Sequence, residues 1–245
     1  MALFVFIVLT VFATSVLSGI LGMAGGIVLM AVLVTTLGVA NAMILHGAVQ
    51  ATANGSRAWF LKRHIRWNIL PMYLVGAGLA VGVFSVLTLI PDASVVLILV
   101  GVFPWMARFS KHLQGLDVTH QPTTVVCGFV VTSAQLLAGA SGPLLDVFYL
   151  NSPLNRQQIV ANKALTQTIG HGLKIVYYGV IVAVVNTTPA WLFALAIVSA
   201  ILGTKVGTRL LMRWNDTDFQ RTSQFIILTI ASLCIAQGVW SLLAE

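Results

Sequence analysis

Charge is what this chain has least of. Asp, Glu, Lys and Arg make up only 8% of its 245 residues, against roughly a quarter in soluble domains. So little charge cannot cover a water-exposed surface, and 58% of the residues are apolar. The chain is therefore predicted to be an all-α integral membrane protein, with residues 1–245 forming one membrane domain. Acids are scarcer than bases, six against 13, for a net charge of +7. This excess does not predict a nucleic-acid partner. The cations fall mainly in short connections between apolar runs, where they orient a protein in the lipid bilayer. Cys127 and Cys234 lie inside apolar runs without metal-ligand spacing and read as packing residues. The chain has no HExxH and no GxSxG, and Asp146 is the one acid well inside an apolar run. Those absences argue against a membrane-embedded enzyme, and no cofactor or metal is predicted. Met1–Ser18 has an apolar core but no Lys or Arg before it and no convincing cleavage site. It reads as the first span rather than a signal peptide.

Apolar runs lie near 3–20, 26–38, 42–61, 69–90, 94–107, 123–138, 143–151, 160–183, 190–208 and 223–243. Runs 26–38 and 143–151 are short for a full crossing, and each follows a glycine cluster. The clusters are Gly22-Met-Ala-Gly-Gly26 and Gly139-Ala-Ser-Gly-Pro143. Glycine costs about 1 kcal/mol in a helix interior and proline about 3. Each cluster is therefore predicted to break its helix, with new half-helices starting near Ile27 and Leu144.

The chain repeats itself. Gly22, Gly25, His46, Gln50, Asn54, Gly55 and Arg57 match Gly139, Gly142, Lys163, Gln167, His171, Gly172 and Lys174, each pair 117 positions apart. Gly78-xxx-Gly82 pairs with Gly203-xxx-Gly207 at a slightly larger offset and predicts close helix approach. The predicted fold is two inverted-topology repeats, about 1–115 and 122–245. Each is a glycine-broken helical hairpin followed by three transmembrane helices. This arrangement places Lys62, Arg63, Arg66, Arg108, Lys111, Arg156, Arg209, Arg213 and Arg221 on the cytoplasmic side. The outer connections near 38–42, 91–94 and 184–190 then carry no Lys or Arg, as the positive-inside rule requires.

The candidate site follows from two polar stripes. His46, Gln50, Asn54 and Arg57 share one helical face, and Lys163, Gln167, His171 and Lys174 share the matching one. Each stripe extends about 16 Å along its helix. Ionisable groups at that depth belong in the protein interior or a wet cavity. Inverted symmetry sets the two helices antiparallel, so the stripes face each other. Their pooled character is cationic and hydrogen-bonding, which suits a small anion. The glycine tips add backbone N–H donors at the starts of half-helices, with Gly25, Gly26, Ser141 and Gly142 as candidate contacts. Asp146 reads either as the partner of a stripe lysine or as a carrier of a coupling proton, and Gln135 points towards the same region. The structural alternatives are lysine and arginine reaching the headgroups and amide side chains joining helices.

The duplicated layout resembles the sulfite exporter TauE/SafE family of bacterial membrane transporters over nearly the whole chain. The resemblance rests on the two glycine motifs, the small-residue and Asn-containing segment His46–Gly55, and the basic connection Lys62-Arg-His-Ile-Arg66. Met23-Ala24 stands where the family often has a glycine-richer run, no proline follows in Leu29–Leu33, and the second stripe is more basic than usual. The resemblance implies a multi-pass protein of the bacterial inner membrane. It implies export of small sulfur-containing anions such as sulfite, sulfoacetate or other organosulfonates through a site between the repeats. The inside-negative potential would drive an anion outwards at about 2.3 kcal/mol per charge per 100 mV. A proton carried by Asp146 or a histidine is the candidate coupling ion. A passive anion channel and a structural subunit are the competing readings.

Overall fold

A computed structural model describes residues 1–21, 24–109, 116–149, 152–211 and 216–244. Gly22, Met23, Lys111 and Arg213 lie outside them, as do the side chains of Asp216 and Arg221. The described residues form ten α-helices and no strand. They are α1 (Ala2–Leu21), α2 (Ala24–Leu37), α3 (Val39–Phe60), α4 (Leu70–Leu87), α5 (Ala93–Phe109), α6 (Gln121–Ala138), α7 (Gly142–Tyr149), α8 (Arg156–Val176), α9 (Ala190–Leu211) and α10 (Asp216–Ala244). A short 3-10 turn (Lys62–His64) follows α3, and a π-helical turn (Tyr177–Ile181) extends α8.

Each predicted apolar run coincides with one helix, and the boundaries have local causes. Asn155 starts α8 with a capping box, its side chain accepting from the Gln158 backbone while Gln158 reaches back to Asn155. Gly139, at φ 71°, ends α6 in a left-handed cap. Four helices, α1, α4, α9 and α10, are long and apolar enough to cross a membrane by length and composition. At 22 and 21 residues, α3 and α8 have spanning length too, but their polar stripes lower their hydropathy.

The half-helices begin earlier than predicted. Gly25 and Gly26 sit inside the first turn of α2 rather than before it. Gly142 and Pro143 open α7 rather than break it, because a proline in a first turn gives up no helical hydrogen bond. In the second tip the break lies between Ala138 and Gly142.

The helix pairing has an exchange pattern. The principal contacts between the two halves are α1 on α9, α4 on α6, α3 on α8 and α5 on α10. Exchanging the first five helices with the last five returns the same list. The weaker contacts α2 with α10 and α5 with α7 also exchange. Within each half, α1 packs on α2 and α6 on α7 as hairpins. Small residues permit the close pairs. A Cβ on Gly207 would lie 2.2 Å from the Val16 carbonyl oxygen, and one on Gly128 would lie 2.1 Å from that of Tyr73.

The predicted role of Gly78 and Gly82 is corrected here. Both face outwards, and a Cβ added at either would meet no other element within 4 Å. The α4 face against α6 carries Gly76 instead, whose Cβ would come 1.9 Å from the Val125 carbonyl oxygen. Gly76 lies two positions before Gly78, on a different helical face.

The connections also group. Asn41 donates to Thr187 at 3.0 Å, joining two of the connections that lack Lys and Arg. At the basic ends, the Arg66 backbone donates to Asn162 at 3.2 Å and Arg108 donates to Gln224 at 3.2 Å.

This packing makes a direct prediction. Gly128→Val should lower thermal stability in detergent by about 1–3 kcal/mol through overpacking, while Gly78→Ala stays within about 0.5 kcal/mol of the parent. Equal losses in the two variants would contradict the assigned α4–α6 interface.

Candidate functional site

The two stripes face each other across an antiparallel pair. His46, before the midpoint of α3, meets Lys174, near the end of α8, at 2.9 Å. At the other end Arg57 and Lys163 come within electrostatic reach of each other. Gly47 packs on Ile175 and Gly55 on Thr168 between them. Both glycine tips abut this pair, and a small cavity of about 40 Å³ lies at the junction. A buried water needs roughly 10–15 Å³, so the space suits a few waters or one compact ion. A larger apolar groove of about 620 Å³ at Trp105, Phe109 and Phe148 is lined by apolar and aromatic side chains alone and offers no recognition chemistry.

The predicted residues divide between the cavity wall and its support. Gly26, His46, Gln50, Asn54, Arg57, Ser141, Gly142, Gln167 and His171 line the cavity. Gly25, Lys163 and Lys174, also expected as contacts, are not part of its lining, and neither is Asp146. Gly25 is buried against α1, where a Cβ would fall 1.9 Å from the Thr14 carbonyl oxygen. Its glycine is required by packing. Lys163 forms an ion pair with Asp146 on α7, so one of the two predictions for Asp146, partnership with a stripe lysine, is the arrangement present. Lys174 is withdrawn behind the wall and fully buried.

A continuous hydrogen-bonded chain lies beneath the cavity. His46 Nε2 bonds the Gly26 carbonyl at 2.9 Å, and its Nδ1 lies 2.9 Å from Lys174 Nζ. Lys174 also donates to the Gly139 carbonyl at 2.9 Å. Gln135 donates to that same carbonyl at 2.7 Å and contacts His171 Nδ1 at 2.8 Å, while its Oε1 accepts from Ser141 at 2.6 Å. The chain thus runs from the first tip to the second through His46 and Lys174, and Gln135 joins His171 to it; the two imidazole ring centroids are 5.4 Å apart.

Donor and acceptor counting assigns the tautomers. Gln135 Nε2 must donate to the carbonyl, so its other hydrogen goes to His171 Nδ1 as acceptor. A neutral His171 then carries its hydrogen on Nε2. Likewise His46 accepts from Lys174 at Nδ1 and donates from Nε2. The wall therefore offers His171 Nε2–H, the Arg57 guanidinium and the amides of Gln50, Asn54 and Gln167, and no carboxylate lines it among the described residues. Such a donor set is complementary to an anion with oxygen acceptors.

Sequence reasoning passed over some wall residues. Ser18 on α1 lines the cavity, as do Ala53, Ala140 and Pro143. Ser18 had a readable signal, because the 117-position repeat offset relates it to Gln135. The alanines and Pro143 carry no chemical signal and contribute only shape. The role of Gln135 as the staple of the second tip depends on a three-dimensional turn.

The opposite end of α8 is closed. Tyr177 donates to the Leu89 carbonyl at 2.9 Å and Tyr178 to the Leu136 carbonyl at 2.8 Å. The rings pack edge to face at 5.1 Å, and both side chains are buried. Phe60, the repeat counterpart of Tyr177, is 83% exposed at the end of α3.

Comparison with known proteins places this architecture. No curated protein and no solved structure matches the chain. The family model described as sulfite exporter TauE/SafE matches residues 7–234. With ten helices among its described residues and this match over nearly its whole length, the chain belongs to the sulfite exporter TauE/SafE family of membrane transporters.

Proposed function

We propose that the protein is a secondary transporter of the bacterial inner membrane that exports small sulfur-containing anions, sulfite or organosulfonates such as sulfoacetate, by alternating access. The observation that carries this reading is the cavity itself. It lies at the meeting point of two broken helices, has donors from both repeats, and has no carboxylate in its wall among the described residues. Arg57 and His171 supply the positive and polarised groups, Gln50, Asn54 and Gln167 supply hydrogen bonds, and Gly26, Ser141 and Gly142 supply the tips. The family description supports the sulfur-anion class.

Alternating access is supported by the asymmetry of the helix ends. Inverted repeats exchange conformations when the open side changes. Here the α8 end is sealed by Tyr177 and Tyr178 while Phe60 at the matching α3 end is exposed. With the basic connections in the cytoplasm, this asymmetry supports reading the arrangement as an inward-facing state. The exposed Phe60 end would close when the tyrosine end opens.

The first test is a thermal-shift series in detergent at fixed ionic strength against sulfite, sulfoacetate, taurine, isethionate, sulfate, thiosulfate and chloride. A selective rise with a sulfur oxyanion or sulfonate is expected, and no selective rise with any of them would count against the site. In the same assay His171→Ala and Arg57→Gln should each weaken binding about 10- to 100-fold, the loss of a hydrogen bond to a charged group. Unchanged affinity in both would remove the cavity as the binding site. The inward-facing assignment is tested separately. Asn54→Cys, in a chain with Cys127 and Cys234 replaced by Ala, should react with an impermeant thiol reagent applied from the cytoplasmic side, and the bound anion should protect it. Reaction only from the outside would reverse the assignment.

A further inference from the structure

The fully buried lysine is unexplained by the anion site alone. Lys174 has no exposed surface. Its Nζ donates to two neutral acceptors, His46 Nδ1 and the Gly139 carbonyl oxygen, and no carboxylate joins them among the described residues. A buried ammonium without a counter-charge is costly, and lysine is almost never fully buried unless paired. Two donors suffice for the two acceptors present, so the third hydrogen of an ammonium would have no partner here.

We propose that the His46–Lys174–His171 cluster is a proton site linked to the anion, holding one more proton when the cavity is occupied than when it is empty. This rests on the reading of the cavity as an anion site. An anion among Gln50, Asn54 and His171 lies against both imidazoles, and through His46 it is one hydrogen bond from Lys174 Nζ. Its negative charge supplies the counter-charge the cluster lacks. Linkage is reciprocal. A bound anion favours the protonated cluster, and a protonated cluster raises anion affinity.

The surrounding groups leave this cluster to act by itself. On α3 the titratable residues are His46 and Arg57, and Arg57 lies at the far end beside Lys163. On α7, Asp146 is held by Lys163, and Tyr149 belongs with Tyr73 of α4 and Cys127 of α6 in a separate buried group. Tyr177 and Tyr178 turn their hydroxyls to the Leu89 and Leu136 carbonyls. Lys62, Arg63, His64 and, at the first residue of α8, Arg156 lie at the opposite end of that helix from Lys174. Among the described residues, His46 and His171 are the titratable groups that face Lys174 electrostatically. Asp146 is thus not the coupling group. Carrying a proton with a monovalent anion makes the step electroneutral, and the outward pull of the membrane potential on the anion is cancelled.

The test is calorimetric titration of the purified full chain with thiosulfate or sulfate, anions that do not themselves titrate near neutral pH. It is run between pH 6 and 8 in buffers of different ionisation enthalpy. The expected result is a buffer-dependent heat corresponding to uptake of up to one proton per anion, with affinity rising as pH falls. Asp146→Asn should retain this uptake. Lys174→Arg, whose guanidinium stays charged, should abolish or sharply reduce it while anion binding persists. If Lys174→Arg does not fold, His46→Gln is scored on proton uptake per anion bound, whatever its affinity. Anion binding with buffer-independent heats across the pH range would overturn the proton site and leave the anion site standing. Uptake unchanged in both Lys174→Arg and His46→Gln would also overturn it. Absence of binding by every sulfur anion would overturn the anion site, and the proton site with it.

Discussion

The structure depends on how two interrupted helices are satisfied inside a bilayer. Backbone groups freed at such a break have no water in the hydrocarbon region to bond. The Gly139 carbonyl, at the left-handed end of α6, illustrates the demand. It accepts from both Gln135 and Lys174, and the Gly139 N–H is satisfied by the Gln135 carbonyl at 3.0 Å. From there the hydrogen bonds pass through His46 to the Gly26 carbonyl of the other tip. One chain of side chains therefore holds both breaks at a common depth. Without it the tips would have neither a fixed separation nor a cavity between them.

The same constraint separates the cations by task. Lys163 is neutralised by Asp146 and joins α8 to α7. Lys174 ties the two tips together from behind. Arg57 and His171 remain on the wall, where an anion can meet them. The repeat supplied matching positions, and the two halves then used them differently. His46 and its counterpart Lys163 make unrelated contacts, and Asn54 corresponds to His171. Departure from strict symmetry leaves α3 contributing Arg57, Gln50 and Asn54 to the wall, while α8 contributes Gln167 and His171 and keeps its lysines off it.

Much of this was legible in the sequence, for a physical reason. Apolar runs of spanning length, glycine breaks and polar stripes at helical spacing are one-dimensional signals, and the ten predicted runs correspond to the ten helices. The facing of His46 with the second stripe agrees with the antiparallel pair expected from the sequence repeat. What the sequence could not supply was rotation and depth. Gly78 and Gly76 differ by two residues, which places one outside and the other inside the α4–α6 contact. Lys174 sits on the predicted face, yet behind the wall rather than on it, because its reach is set by the Gly139 turn. Gln135 could be suspected from its place before Gly139. Its threefold stapling of that turn could not, since the bonds exist only once Ala140 and Ser141 have turned back.

The central claim is that the cavity binds an anion and passes it across the membrane by exposing it to one side at a time. Counterflow of radiolabelled sulfite in proteoliposomes tests this most directly. Vesicles preloaded with unlabelled sulfite are diluted into trace label. The account predicts transient accumulation of label above its equilibrium level, saturating with the internal load, because a carrier returns with substrate bound. Simple equilibration at a rate independent of preloading would contradict it and would assign the pathway to a channel.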